Sequence, residues 1–94
     1  MIIDSEYMEF ELAEDTGRTE AWNIVAKSTG EILGEIKWYG GWQRYCLFAS
    51  YKNSIFDVAR MDAIGKIIAM LEEKRDRKRE HSLRTLISTT GLKD

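Results

Sequence analysis

The stretch EILGEIKWYGGWQRYCLFA, residues 31–49, sets two alternating apolar segments on either side of the glycine pair Gly40 and Gly41. Alternation with a period of two is typical of β-strands. A glycine pair between such segments predicts a two-residue hairpin turn, because glycine readily adopts positive φ at both turn positions. The stretch therefore predicts two antiparallel strands, at residues 31–39 and 42–49.

The sequence before this hairpin predicts two further strands. Residues 6–12, EYMEFEL, alternate between apolar and polar side chains, and residues 22–27, WNIVAK, form a second such segment. The polar residues 13–20 between them are typical of a loop. Residues 28–30, Ser-Thr-Gly, predict a three-residue hairpin loop with glycine at the left-handed position. Together with the first hairpin, these segments predict a four-stranded antiparallel β-meander.

A helix is predicted after the strands, with two candidate starts. Either Ser54 and Asp57 form a capping box, or Asp57 is itself the N-cap residue. Apolar residues then recur at helical spacing, so the predicted fold class is α+β, with one long C-terminal helix packed on one face of the meander. The apolar stripe of this helix consists of Val58, Met61, Ile64, Ile67, Ile68 and Leu71.

Residues 1–81 are predicted to form a single α+β domain, and residues 82–94 a C-terminal tail. The run EEKRDRKREH, residues 72–81, can continue the helix through charge pairs but has no apolar face. A solvated helix face is favoured for it, and its interleaved acids weaken the alternative of nucleic-acid contact. The tail is either frayed or docks on a partner subunit. Leu83, Leu86 and Ile87 in this tail resume the i, i+3, i+4 spacing of a helix.

The composition is typical of a soluble globular protein. Of the 94 residues, 44% are hydrophobic and 32% are charged. No apolar run is long enough to span a membrane, and the N-terminus lacks the features of a signal peptide, so a cytoplasmic location is expected. The net charge of the chain is −2, and its acidic residues are concentrated in residues 1–20, which carry seven acids against one base. Duplex nucleic acid is therefore disfavoured as a partner, although a local basic site is compatible with this balance.

The sequence predicts no enzyme, no metal and no cofactor. One cysteine and one histidine are too few for an intramolecular disulfide or a Cys/His zinc site. Neither a glycine-rich phosphate loop nor a serine–histidine arrangement is present. Cys46 and His81 could pair as nucleophile and base, but a cysteine in mid-strand is more typical of a small packed thiol.

The registers of the two predicted hairpins assign the same residues to one sheet face. A two-residue turn would pair Tyr39 with Trp42 and Lys37 with Arg44, and side chains alternate between the faces. Gly34 is expected in the middle of the core face, where the helix could approach closely. The predicted core face carries Trp22, Ile24, Ala26, Ile32, Ile36, Trp38, Tyr45 and Leu47. The opposite, outer face carries Asn23, Val25, Lys27, Leu33, Glu35, Lys37, Tyr39, Trp42, Arg44 and Phe48.

The outer face is the predicted binding surface, because monomers rarely expose such an aromatic patch. Aromatic rings stack on bases, and lysine and arginine bind phosphate. The opposed cations Lys37 and Arg44 would destabilise the hairpin unless a bound anion or Glu35 offsets them. Alternatively, the patch is only a homo-oligomer contact, since interfaces favour aromatic residues and arginine. The predicted ligand-binding residues are Tyr39, Trp42, Lys37, Arg44 and Asn23, of which Asn23 would contact a base edge.

The aromatic and glycine spacing over about residues 20–72 resembles a group of small phage-encoded proteins, through LG-x-I-x-WY, then W-x-x-Y and an amphipathic helix. This group is similar to phage sponge proteins that sequester the cyclic nucleotide signals of bacterial defence systems such as CBASS. The resemblance implies a homo-oligomer in the host cytoplasm that captures a cyclic oligonucleotide or a cyclic ADP-ribose type of ligand between subunits, without chemistry. Members often carry arginine directly after the tryptophan of the fourth strand. This chain has Gln43 there and Arg44 next, which implies a different ligand choice or a displaced cation. The matching residues are Trp22, Ile24, Gly30, Leu33, Gly34, Ile36, Trp38, Tyr39, Trp42, Tyr45 and Phe48.

Overall fold

A computed structural model describes residues 2–50 and 55–89, with side chains up to residue 78. It contains one five-stranded antiparallel sheet, in which the strand order follows the chain, and one C-terminal helix. The predicted α+β class and meander are confirmed, with five strands instead of four. The elements are β1 (Ile2–Asp4), β2 (Met8–Asp15), β3 (Glu20–Ala26), β4 (Ile32–Tyr39), β5 (Arg44–Ala49) and α1 (Val58–Thr89).

The additional strand, β1, forms one edge of the sheet. It is three residues long and pairs with β2, where Ile3 lies opposite Phe10. Three residues are too few for alternation to mark a strand. The four-strand prediction therefore missed one short edge strand, and it included the other four strands of the sheet.

The core lies between one face of the sheet and one side of α1. Ile64, Ile67 and Leu71 are buried, as predicted. Val58 and Met61 were assigned to the same stripe but are 78% and 52% exposed, so this part of the prediction is wrong. Spacings of three and four residues fit neighbouring stripes on a helix, and only packing decides which stripe is covered. The buried side chains are Met8, Phe10, Trp22, Ile24, Ile36, Tyr45, Ile64, Ile67 and Leu71.

The helix begins after Asp57, which is the N-cap residue. Its carboxylate accepts the backbone N–H of Arg60 at 2.9 Å, and its carbonyl accepts that of Met61 at 2.9 Å. This is the hydrogen-bonding pattern of an N-cap, in which a side-chain oxygen satisfies a free amide of the first turn. The second of the two predicted starts is confirmed, and Ser54 lies outside the described residues.

One side of the charged run packs on the sheet, whereas Glu73, Asp76 and Arg77 are exposed, so the predicted solvated face is confirmed for only part of the run. The carboxylate of Glu20 accepts hydrogen bonds from Lys74 Nζ at 2.8 Å and from the indole nitrogen of Trp22 at 3.0 Å. The hydroxyl of Tyr45 accepts the Glu20 amide at 3.1 Å. The Glu72 carboxylate in turn accepts the Tyr45 amide at 2.5 Å. These bonds join the helix to β3 and β5 beyond the apolar core.

Two further basic side chains of the charged run contact the sheet. The Arg75 guanidinium lies 3.9 Å from the ring centre of Trp38, and Lys78 Nζ donates to the Gly17 carbonyl at 3.2 Å. Long basic side chains can cover apolar surface with their stems while their charged ends reach polar partners. One side of the run therefore packs against the sheet, although the sequence of the run has no apolar stripe that would predict this.

The helix continues without a break across the predicted boundary between residues 81 and 82, as far as Thr89. The side chains of residues 79–89 and the whole of residues 90–94 lie outside the described part of the chain. Docking of the tail on a partner subunit therefore stays a prediction. The same is true of its fraying.

Candidate functional site

The register between β4 and β5 differs from the predicted one by two residues. Tyr39 lies opposite Arg44, and Lys37 lies opposite Cys46, whereas a two-residue turn would pair Tyr39 with Trp42. An even shift leaves every side chain on the face predicted for it. The predicted opposition of Lys37 and Arg44 is wrong, so it gives no reason to expect an anion between them.

A four-residue turn, residues 40–43, causes this shift. The positive φ of the turn, 53°, is at Gln43 and not at Gly40 or Gly41. The Gln43 side-chain amide donates to the Gly40 carbonyl at 2.7 Å. A Cβ added to Gly41 would lie 2.6 Å from the Tyr39 ring. Gly41 therefore leaves the space that the Tyr39 ring occupies over the turn, and its φ is not positive.

The register between β3 and β4 is confirmed where Ile24 pairs with Gly34, but a β-bulge interrupts it beyond that pair. The bulge places Ile32 on the outer face opposite Val25, where Ile32 is 53% exposed. Leu33 instead packs against the core. The predicted faces of Ile32 and Leu33 are wrong, because one inserted residue exchanges the two faces of the strand beyond it.

Tyr39, Trp42 and Phe48 form an aromatic cluster on the outer face, at the turn end of β4 and β5. The Tyr39 ring meets Trp42 edge to face, with centroids 5.3 Å apart and planes at 87°. It meets Phe48 similarly, at 6.2 Å and 72°. The cluster lines an open hollow of about 330 Å³, completed by Cys46 and Leu47. Trp42 is 70% exposed, so most of the indole is free to contact a ligand.

A second open hollow, of about 440 Å³, adjoins the aromatic cluster and shares Phe48 with it. Lys37 lines this hollow, with its ammonium 4.6 Å from the Phe48 ring centre and 3.0 Å from the Glu35 carboxylate. Asn23 lines it as well, and lies between Glu11 and Glu35 in a row across the sheet. The one ammonium in this hollow thus already has a partner, and the amide has acidic neighbours on both sides.

Arg44 completes the set of predicted ligand-binding residues. It is exposed at the start of β5, opposite Tyr39, and lines neither of the two hollows. The five predicted residues therefore share one face in three groups: the pair Tyr39 and Trp42, the pair Lys37 and Asn23, and Arg44 alone.

Sequence reasoning placed Phe48 on the outer face but did not select it for the site. The structure gives Phe48 a central position, because its ring contacts both the Tyr39 ring and the Lys37 ammonium. The alternation of β5 was enough to signal this position. Ile32 also lines the second hollow, and it could not have been found, because nothing in the letters marks the bulge.

Cys46 is half-buried on the outer face, opposite Lys37. Its thiol is 3.8 Å from the carbonyl oxygen of Arg44, a distance typical of a weak S–H contact. The side chain of His81 lies outside the described residues. A nucleophile–base pair of Cys46 and His81 therefore stays an untested alternative.

Comparisons with protein-family models, with curated proteins and with solved structures find no match to this chain. The described residues contain no helical stretch whose length and apolar character would suffice to span a bilayer.

Proposed function

We propose that the chain is a non-catalytic binding protein that captures a nucleotide ligand on the outer face of its sheet. In the version that the phage-protein resemblance implies, the ligand is a cyclic oligonucleotide or a cyclic ADP-ribose isomer, and its sequestration inhibits a bacterial anti-phage defence. The single observation that carries the proposal is Trp42, which is 70% exposed and braced edge-on by Tyr39 beside a lysine-lined hollow.

Stacking would supply most of the affinity. A base stacked on an aromatic side chain contributes roughly 1–3 kcal/mol. The perpendicular Tyr39 ring, 5.3 Å from the indole of Trp42, limits the rotation of the indole while leaving most of its surface open. A preoriented platform loses less side-chain entropy on binding than a free tryptophan would.

The charges of the outer face support an ordered arrangement of the ligand. Lys37 Nζ is paired with Glu35 at 3.0 Å, and their side chains are 43% and 38% exposed. An exposed pair of this kind contributes only about 0–1 kcal/mol, so a phosphate could replace the carboxylate at little cost. Asn23, between Glu11 and Glu35, lies in acidic surroundings that suit the donor groups of a base edge and disfavour phosphate.

The spacing of these groups fits a ligand longer than one nucleotide. From Tyr39 to Glu35 the strand advances four residues, or about 13 Å. Lys37 lies midway, and Asn23 is one strand beyond Glu35. A base on Trp42, a phosphate near Lys37 and a second base edge at Asn23 would follow the order of the side chains.

A thermal-shift screen against cyclic di- and trinucleotides and cyclic ADP-ribose isomers tests the proposal. A ligand at a hundred times its Kd adds about 2.7 kcal/mol of stability, which corresponds to a rise in Tm of roughly 10 °C or more for a domain of this size. Trp42→Ala should abolish this shift without unfolding the protein. Tyr7→Ala is the matched control, because Tyr7 is an aromatic residue with 43% exposure at the opposite end of the sheet.

The proposal is wrong if no nucleotide of these classes shifts the Tm, or if Trp42→Ala binds as well as Tyr7→Ala does. Isothermal titration calorimetry on the purified full chain would give the stoichiometry for any ligand found. Capture between subunits predicts fewer than one ligand per chain.

A second candidate function is a homo-oligomer contact through the aromatic cluster, with no small ligand. The pairing of Lys37 with Glu35 favours it, because the hollow then has no unsatisfied cation that would require an anion. Interfaces are enriched in exposed aromatic residues of this kind. In this case Trp42→Ala would disperse the oligomer, and no nucleotide would change the Tm of the parent protein.

A further inference from the structure

Gly65 occupies the middle of α1, where glycine weakens a helix relative to alanine. A Cβ added to Gly65 would meet no atom within 4 Å. The packing of the described residues therefore does not require glycine at this position, whereas at Gly34 an added Cβ would lie 2.7 Å from the Phe48 carbonyl oxygen. The missing side chain at Gly65 leaves room for a close approach to the outer side of the helix.

The surroundings of Gly65 form an apolar ridge on the side of α1 away from the sheet. Val58 and Met61 are 78% and 52% exposed, and Ala69 is exposed one turn beyond Gly65. The apolar side chains of the first half, Val58 and Met61, are thus larger than the apolar residues of the second half, Gly65 and Ala69. The residues of this helix ridge line one open hollow of about 490 Å³ and are Val58, Met61, Asp62, Gly65, Lys66 and Ala69.

The ridge is complementary to itself when it is turned end to end. About one twofold axis midway between residues 63 and 64, Val58 lies level with Ala69 of the other copy. Met61 and Asp62 then lie within one residue of the levels of Gly65 and Lys66 of the other copy, respectively. Such a pair would pack Val58 and Met61 near small residues of the other copy and bring each Asp62 close to the opposite Lys66.

We propose that α1 pairs with the α1 of a second copy of this chain, antiparallel, about a twofold axis at residues 63–64. The proposal goes beyond the nucleotide-binding function and uses none of its residues. A parallel pair is disfavoured by the same pattern, because it would set Val58 against Val58 and oppose the two Asp62 carboxylates, which repel each other.

The charged pair within the ridge, Asp62 and Lys66, supports a second copy as the occupant. Within one chain Asp62 and Lys66 form an ion pair at 3.1 Å. In the antiparallel pair each could also meet its opposite from the other copy, which gives a self-complementary, isologous contact. The ridge from residue 58 to residue 69 is about 18 Å long. It offers far fewer residues than the roughly 20–30 per partner of a standard interface, so a weak and concentration-dependent dimer is expected.

Sedimentation equilibrium on the full chain, from micromolar to near-millimolar concentration, tests this pairing. Ala69→Arg should raise the dimer Kd by about ten-fold or more, because the arginine fills the space that Val58 of the other copy needs. Ala13→Arg is the matched control. Ala13 is also exposed, but it lies in β2 and not on the helix. Equal effects of the two substitutions, or a parent chain that is monomeric at every concentration, would overturn the proposal.

Further variants test the roles of Gly65 and of the charged pair, and distinguish this contact from the one at the aromatic cluster. Gly65→Ala should raise the Tm at low concentration while it weakens association, and unchanged association would refute the role of Gly65. The charge swaps Asp62→Lys and Lys66→Asp should each weaken the dimer, and the double swap should restore it. If Trp42→Ala abolishes dimerisation while Ala69→Arg does not, the interface is the aromatic cluster and the helix pairing is wrong.

Discussion

Removing the carboxylate of Glu20 should weaken the attachment of the charged half of α1 to the sheet. This side chain is 10% exposed and accepts hydrogen bonds from the Trp22 indole nitrogen at 3.0 Å and from Lys74 Nζ at 2.8 Å. Trp22 is fully buried, at 0% exposure. In Glu20→Ala its indole N–H would therefore lose its partner in a place where water cannot readily replace it.

The size of the effect follows from these two bonds. A buried donor left without a partner costs about 1–3 kcal/mol, and an ion pair to the 41%-exposed Lys74 adds at most about 1 kcal/mol. We therefore expect Glu20→Ala to reduce the free energy of unfolding by about 2–3 kcal/mol, equivalent to a fall in Tm of roughly 8–16 °C or more. Glu20→Gln keeps an acceptor for Trp22 and should lose only about 1 kcal/mol or less.

Urea unfolding followed by tryptophan fluorescence measures these differences. Glu73→Ala is the matched control, since Glu73 pairs with Arg77 at 2.9 Å and both side chains are 68% exposed. It should change stability by no more than about 0.5 kcal/mol. If Glu20→Ala is as stable as Glu73→Ala, the carboxylate does not anchor the helix and the reasoning is refuted.

Two shorter predictions concern pH and ligand affinity. Burial raises the pKa of the Tyr45 phenol above its ordinary value, so its contribution to stability is complete below about pH 10 and decreases as pH rises through the raised pKa. Tyr45→Phe should flatten this decrease when the free energy of unfolding is measured in urea at several pH values. Equal pH slopes of the parent and the variant would contradict the prediction. Glu35→Gln frees the Lys37 ammonium from its carboxylate partner at 3.0 Å, so it should tighten the binding of an anionic nucleotide several-fold, as measured by calorimetry. Lys37→Gln should weaken this binding. If neither variant changes the affinity, Lys37 does not belong to the site.

The sequence was sufficient to predict the core face because side-chain alternation survives errors in turn length. The turn at residues 40–43 is two residues longer than predicted, yet Tyr45 remains on the buried face and Lys37 on the outer one. An error of one or three residues in the turn length would have moved every side chain of β5 to the opposite face of the sheet. At the bulge in β4 such an odd error does occur, and it exchanges Ile32 and Leu33.

Contacts between distant parts of the chain could not be predicted. Glu20 and Lys74 are 54 residues apart, and each lies in a segment whose charges suggested only solvent exposure. The role of Gly34 was also misassigned, because the atom nearest to an added Cβ is the Phe48 carbonyl oxygen of β5, at 2.7 Å, and not an atom of α1. Sequence pattern identifies that a residue is small or charged, but the partner that makes this necessary comes from tertiary packing.

The glycine pair at the turn offers a direct test of whether space or backbone conformation is the constraint there. If both glycines served to provide positive φ, alanine at Gly40 and at Gly41 would be similarly harmful. Neither has positive φ. An added Cβ meets nothing within 4 Å at Gly40, whereas at Gly41 it lies 2.6–2.8 Å from three atoms of the Tyr39 ring.

Gly40→Ala should therefore be neutral, or stabilising by up to about 1 kcal/mol through the reduced entropy of the unfolded chain. Gly41→Ala should displace the Tyr39 ring and lose its edge-to-face contact with Trp42, at a cost of about 0.5–1.5 kcal/mol. Near-ultraviolet circular dichroism would detect the altered aromatic pair, and nucleotide affinity should fall in Gly41→Ala alone if Tyr39 braces the binding platform. Identical spectra and stabilities for the two variants would mean that the ring position does not depend on Gly41, and the indole of Trp42 would then have to be held by other contacts.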